Sequence, residues 1–247
     1  MKKTSKKIRR AKTTTSMSTK TTTTMEIPEY LQNSQPEGTE HLTTDDVAMP
    51  RLQLAQSMSP QLNKQNPEYI ADLSVGDLFN SVSNKNYGEG PLSFSVVCSY
   101  PPRGILFAPM AEGGGVLDMN VKMDDPRMMF SEDGTPPEAT RFYDYVLMLN
   151  PGASDEEMIA LSLARSAIKT AKNLNGLIRM RGTAIYTGIY TVETLQKTNT
   201  KGSYMTWKFR NAGFVPEDRV EPYAAIHAGL KTTIPLAPPV DEFTPDD

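Results

Sequence analysis

The sequence predicts a mainly β domain, a small and partly open barrel with one late amphipathic helix and long inserted loops. Three observations carry this expectation. Nineteen Pro and sixteen Gly in 247 residues favour short strands and turns over a helical bundle. Short segments of alternating apolar residues, bounded by Pro, Gly and Asn, recur between residues 49 and 150. One later segment, 154–174, repeats its apolar residues at helical spacing.

The elements follow in order. Residues 1–25 hold eight Lys or Arg, no acid and runs of Thr. They cannot build a core and are expected to be a disordered basic leader, either an electrostatic arm or a solubilising tail. Residues 26–48 read as an acidic lead-in. In MPRLQLAQSMSP (49–60), Leu52 and Leu54 alternate into a short strand with Pro on either flank. Segment 72–82 predicts a turn at Gly76 and then a short strand, and 84–90 is turn chemistry. Segment 92–100 places Leu92, Phe94, Val96 and Cys98 on one strand face, and 105–110 is the next strand. Segment 110–138, with its GGG and many acids and prolines, reads as a long insert of irregular structure. Segment 141–150 (RFYDYVLMLN) is an apolar strand closed by Pro151 and Gly152.

The helix expectation rests on local signals. Ser154 and Glu157 match a capping box, and Asp155 and Glu156 suit the positive helix end. Leu161, Ala164, Ile168 and Ala171 make the buried stripe, and Asn175 with Gly176 stops the helix. Segments 184–193 and 203–209, around a turn at 199–202, read as a hairpin. Residues 49–235 thus form one domain, and the acidic tail 236–247 projects from it.

Charge is sorted along the chain. Residues 161–210 hold nine Lys or Arg and one acid, whereas residues 66–160 hold fifteen acids and five bases. Residues 211–247 hold seven acids and two bases, and the whole chain is only −3. A basic region interleaved with aromatic rings is what single-stranded nucleic acid requires, since phosphates attract cations and unstacked bases attract rings. Arg165, Lys169 and Lys172 share one side of the expected helix, with no carboxylate four residues away. Arg179 and Arg181 lie in the Gly-flanked GLIRMRG. Tyr186 and Tyr190 share one face of the first hairpin strand, Tyr204 and Lys208 one face of the second, and Lys197 and Lys201 sit at the tip. Met205, Trp207 and Phe209 form the opposite, core-facing side. Alternation leaves open whether Tyr186 and Tyr190 or Ile185 and Ile189 face outward.

Signals for catalysis are weak. The GGG at 113–115 lacks the Lys-Ser/Thr of a phosphate loop, and no GxGxxG follows a strand. His41 and His227 have no second ligand at metal spacing. Asp124, Asp125, Glu132 and Asp133 could take Mg²⁺ as paired carboxylates, but a solvated acidic loop is the better account of them. The single cysteine, Cys98, excludes an intrachain disulfide and a cysteine metal cluster, and its neighbours make it a small buried hydrophobe. No cofactor is expected. No apolar run reaches the length of a membrane span. The basic head MKKTSKKIRR is followed by no apolar run, so a secretory signal is not expected.

The blocks MPRLQLAQSMSP, GDLFNSV (76–82), AIKTAKNLNGLI (167–178) and KGSYMTWKF (201–209) resemble, in order, those of bacteriophage single-stranded DNA-binding proteins; the resemblance covers about 49–215. It implies an OB-fold core. It implies non-catalytic binding of single-stranded DNA without sequence preference during phage replication, recombination or repair in the host cytoplasm. It also implies an acidic tail that contacts phage replication or recombination proteins and competes for the DNA groove. The matching tail here is DEFTPDD, with Asp241, Glu242, Phe243, Asp246 and Asp247; it ends on an acid where such tails often end on a ring. Two alternatives are a virion or assembly protein whose basic arm contacts DNA or a partner, and a nucleic-acid enzyme using the 124–133 carboxylates. Tail competition predicts that deleting 241–247 tightens binding to a labelled oligodeoxynucleotide in an anisotropy titration; an unchanged or weaker complex rejects it.

Overall fold

Residues 145–149 are apolar on both faces, and the second half of the strand they end, β7 (Ala139–Leu149), is buried on both. The computed structural model describes Gly38, 49–109, Ala111, 113–200 and 202–231. The leader, the lead-in apart from Gly38, Lys201 and the acidic tail lie outside the described residues.

Around β7 the strands are antiparallel. β4 (Leu92–Ser99) and β5 (Arg103–Phe107) pair with one edge, and β8 (Glu157–Ala164) with the other. β9 (Gly188–Asn199) pairs with β4, and β10 (Gly202–Phe214) with β9. The run β10-β9-β4-β7-β8, with helix α1 (Ile168–Met180) between β8 and β9, has the connectivity of an OB-like five-stranded barrel. β5 and β6 (Val116–Val121) are a hairpin inserted between its first two strands.

The barrel is partly open. Among the described residues no ladder joins β8 to β10. The chain around β1 (Leu52–Leu54) spans the gap instead. Pro50 O accepts from Ala160 N–H at 2.8 Å, and Arg51 forms an isolated parallel bridge with Ala160. At the other edge the Gln56 amide takes the place of a strand: its Nε2 donates to Met205 O at 2.9 Å, and its Oε1 accepts from Met205 N–H at 3.0 Å. β1 also heads a small sheet with β2 (Leu78–Asn80) and β3 (Asn86–Gly88).

Inside the barrel, Phe94, Tyr145, Leu147, Leu161, Tyr190 and Val192 pack together, and Ala171 and Leu174 of α1 close the cluster. A second helix, α2 (Glu217–Leu230), covers the outer face of β4 and β7. Its Tyr223, Ile226 and Leu230 pack on Val97, Cys98, Val146 and Met148. The Tyr223 hydroxyl donates to Glu156 at 2.6 Å, and His227 Nδ1 lies 2.8 Å from Val97 O.

A buried polar chain crosses the same outer face. Asp144, 1% exposed, accepts from Arg103 Nε at 2.8 Å and from Ser162 Oγ at 2.6 Å. Ser162 in turn accepts from Arg51 Nη1 at 2.9 Å, and Arg103 Nη1 reaches Met119 O at 3.2 Å. These contacts tie β1, β5, β6, β7 and β8 together.

The structure bears out the mainly β, partly open barrel and corrects several elements. The helix begins at Ile168, because 157–164 is strand β8, paired with β7 along its whole length. Side chains read as a helix start serve the β7–β8 turn instead: Asn150 Nδ2 donates to Asp155, and Gly152 N–H to Glu156. Glu157 accepts from Asn80 Nδ2 and the Tyr87 hydroxyl. Asn175 and Gly176 lie within α1 rather than ending it. The insert contains strand β6 and a 3-10 turn, Pro126–Met128, so it is not irregular throughout. A bulge between Val96 and Cys98 turns Cys98 away from Leu92, Phe94 and Val96 into the outer cluster. Among the described residues a second late helix, α2, follows the hairpin, whereas the sequence predicts one.

Removing one member of a buried ion pair strands the other, at a cost of about 3–5 kcal/mol. Asp144→Ala is therefore expected to lower unfolding stability by roughly that amount in urea denaturation. Asp144→Asn, which keeps a hydrogen-bonding oxygen, is expected to lose less.

Candidate nucleic-acid interface

The basic segment folds into α1 and the β9–β10 hairpin. In α1, Thr170, Ala171 and Leu174 are buried, which turns Lys169, Lys172 and Arg179 outward on the opposite side. α1 contains no acid. Arg165 does not join this row. It stands in the 3-10 turn Arg165–Ala167, at a left-handed φ of 49° where β8 gives way to the helix.

Cross-strand register assigns the hairpin faces. Lys197 lies opposite Tyr204, Leu195 opposite Thr206, Glu193 opposite Lys208 and Thr191 opposite Arg210, and these pairs form the outer face. Tyr190, Val192, Trp207 and Phe209 form the inner face and pack on the barrel core. The expected core side of the second strand, Trp207 and Phe209, thus faces inward, and Tyr204 and Lys208 face outward. α1 packs against the inner side. Its Ala171 and Leu174 share the core cluster on which Trp207 and Phe209 pack.

Three expected contacts are structural. Tyr190 is 1% exposed, with its ring 5.7 Å from that of Phe94; burial raises its phenol pKa, against the opposing pull of Arg181. Arg181 caps α1 and lies between rings, with its guanidinium 4.7 Å from the centroids of both Tyr190 and Phe214. Its Nη2 donates to Ile189 O at 2.8 Å, and its Nη1 donates to Gly213 O. Gly188 admits this arrangement, because a Cβ there would stand 2.7 Å from the Tyr190 hydroxyl and 3.0 Å from Arg181 Cδ. Tyr186 is not on a strand with Tyr190. It lies in the 3-10 turn Ile185–Thr187, its ring 5.4 Å from that of His227, packed with the outer cluster.

The electrostatics separate the remaining cations. Among the described residues no carboxylate pairs with Lys169, Lys172, Arg179 or Lys197. Lys208 is paired: its Nζ lies 3.2 Å from Glu193 Oε2, which is also 3.7 Å from Arg210 Nε. Arg210 was not among the expected contacts, although it ends the basic segment on the same alternate face as Tyr204 and Lys208. In the insert, hydrogen bonds from the Arg127 side chain and backbone hold the Asp125 carboxyl down at about 2. Asp125 is thus committed to an arginine. Among the described residues no three His, Cys, Asp or Glu side chains converge as a metal site.

In OB-folds, oligonucleotides bind the outer face of the second and third strands together with the loops beside it. Here that face, on β7 and β8, is closed by α2 over Val146 and Met148 and by Pro50 and Arg51 over Ala160. The last hairpin exposes Lys197 and Arg210 on its outer face, with Tyr204 half-buried beside the tip and Thr206, between Tyr204 and Lys208, buried. Burial separates the two tyrosines in a measurable way. Tyr190→Ala removes a large core side chain and is expected to cost about 3–5 kcal/mol in thermal or urea unfolding. Tyr204→Ala is expected to leave the transition near that of the parent.

No curated protein and no solved structure matches this chain. A family model described as Pam3 phage gp34-like protein matches residues 19–232, nearly the whole chain. The protein belongs to the Pam3 phage gp34-like family.

Proposed function

We propose that this phage protein binds single-stranded DNA without sequence preference and without catalysis, serving replication, recombination or repair in the host cytoplasm. The observation that carries the reading is that Lys169, Lys172, Arg179 and Lys197 stand exposed with no carboxylate partner among the described residues. Cations so placed attract phosphates and release counterions on binding. Tyr204, directly across from Lys197, offers a ring to an unstacked base; such stacking contributes about 1–3 kcal/mol per base. The OB-like barrel supports the same reading, since its last hairpin is a usual oligonucleotide contact. The acidic tail is read as the contact for phage replication or recombination proteins.

A second reading, a virion or assembly protein, draws on Leu117, Met119, Met129 and Phe130, large apolar side chains exposed on and beside β6. The two readings differ over where DNA affinity resides. Binding of single- and double-stranded oligodeoxynucleotides by the full chain and by a chain lacking residues 1–25 separates them. Preference for the single strand that survives the deletion supports the first reading, and affinity lost with the leader supports the second. Lys169→Glu with Lys172→Glu is expected to weaken single-strand binding at least tenfold, roughly the loss of two to four phosphate contacts at low salt. It should also flatten the plot of log K against log salt while leaving the melting temperature unchanged. Parental affinity and slope in the double variant would remove α1 from the interface.

A further inference from the structure

Glu193 is the single acid in the 161–210 segment, and it sits on the outer face of the hairpin. It is the direct cross-strand partner of Lys208 and lies diagonal to Arg210. Its Oε2 reaches both cations, at 3.2 Å from Lys208 Nζ and 3.7 Å from Arg210 Nε. The Arg210 side chain is 58% exposed, and those of Lys208 and Glu193 are about one-third exposed. One carboxylate oxygen therefore lies between two cations, where a phosphate oxygen would also be held. Ion pairs this exposed are weak, because water screens them and two long side chains must be ordered to form them. A phosphodiester could exchange with the carboxylate at little cost, and the guanidinium is suited to phosphate geometry.

We propose that Lys208 and Arg210 form a phosphate-binding subsite, and that Glu193 is its resident counterion until a nucleic-acid phosphate displaces it. This inference rests on the single-stranded DNA reading. The outer face then has two zones. Lys197 and Tyr204, near the tip, meet the strand first. Lys208 and Arg210 engage only as Glu193 gives way, so Glu193 limits affinity and shortens the tightly held stretch of DNA.

The test titrates a fluorescein-labelled oligodeoxythymidylate with the full chain at several salt concentrations. Glu193→Gln is expected to bind about two- to fivefold tighter at low salt, as the release of one or two exposed ion pairs allows. Its plot of log K against log salt should steepen by about 0.7 for each cation freed. Adding Lys208→Ala and Arg210→Ala to Glu193→Gln should abolish that gain. Melting curves check the fold, and Glu193→Thr, a strand-favouring replacement, makes the same comparison should Glu193→Gln melt early. If the parent binds the oligonucleotide but both Glu193 variants match it in affinity and slope, the resident-counterion inference is overturned and the DNA-binding reading stands. If the parent itself fails to bind at low salt, the DNA-binding reading falls and the subsite falls with it.

Discussion

The carboxylate of Asp144 constrains much of this fold. A charge on the outer face of the central strand must be buried with its partners or not at all. Arg103 from β5 and Ser162 from β8 supply those partners, and Arg51 satisfies Ser162 in turn. One side chain thereby fixes the inserted β5–β6 hairpin on one edge of β7 and β8 on the other. It also draws in the segment that bridges the open side of the barrel. The segment 157–164 has no local reason to avoid a helix. Pairing along all of β7, with Ser162 aimed at Asp144, makes it a strand.

A second consequence concerns which surfaces are left for a ligand. Val97, Cys98, Val146 and Met148 form an apolar outer face, which α2 covers. Glu156 fastens the N-terminal half of α2 to the β7–β8 turn through Tyr223 and Arg219, and His227 meets Val97 O further along. The outer surface that an open barrel usually offers is therefore occupied by the protein itself. The cations with no carboxylate partner among the described residues lie elsewhere, on α1 and on the last hairpin.

The sequence revealed what depends on local pattern and hid what depends on distant partners. Alternation was enough for most of β4 and for the second hairpin strand, because each presents a continuous apolar face to the core; it left the face of the first hairpin strand open, and the structure turns Tyr190 inward. It failed at Cys98, where a bulge adds a residue and reverses the side on which the chain continues. It failed also at 154–164, where a good capping signal and helix-favouring residues are overridden by tertiary pairing. On the last hairpin, the outward placement of Lys197 and Tyr204 was legible because a hairpin near its tip cannot bury both faces. Tyr190 and Arg181 were misread for the converse reason. Aromatic and cationic residues suit a nucleic-acid surface and an internal ring–guanidinium stack equally, and only the three-dimensional register separates the two. Arg210 was legible by alternation and was missed because the strand runs on to Phe214, beyond the segment read as its end.

The charge pattern of α1 is one that folding does not require. The helix has no acid in its first turn, no side-chain cap at Ala167, and Lys169 near its positive end, where a cation opposes the helix dipole. Lys172 follows three residues on, a like-charge spacing that disfavours an isolated helix by about 0.2–0.5 kcal/mol. Its stability comes instead from Ala171 and Leu174, packed into the barrel core. A helix held by its buried side is free to carry an unfavourable outer face, and here every charge on that face is positive. An anionic ligand would relieve both the uncapped N-terminus and the repulsion between Lys169 and Lys172. The cost of this surface to the folded protein becomes a gain on binding, which is the physical basis for reading α1 as part of an interface rather than as a solvated exterior.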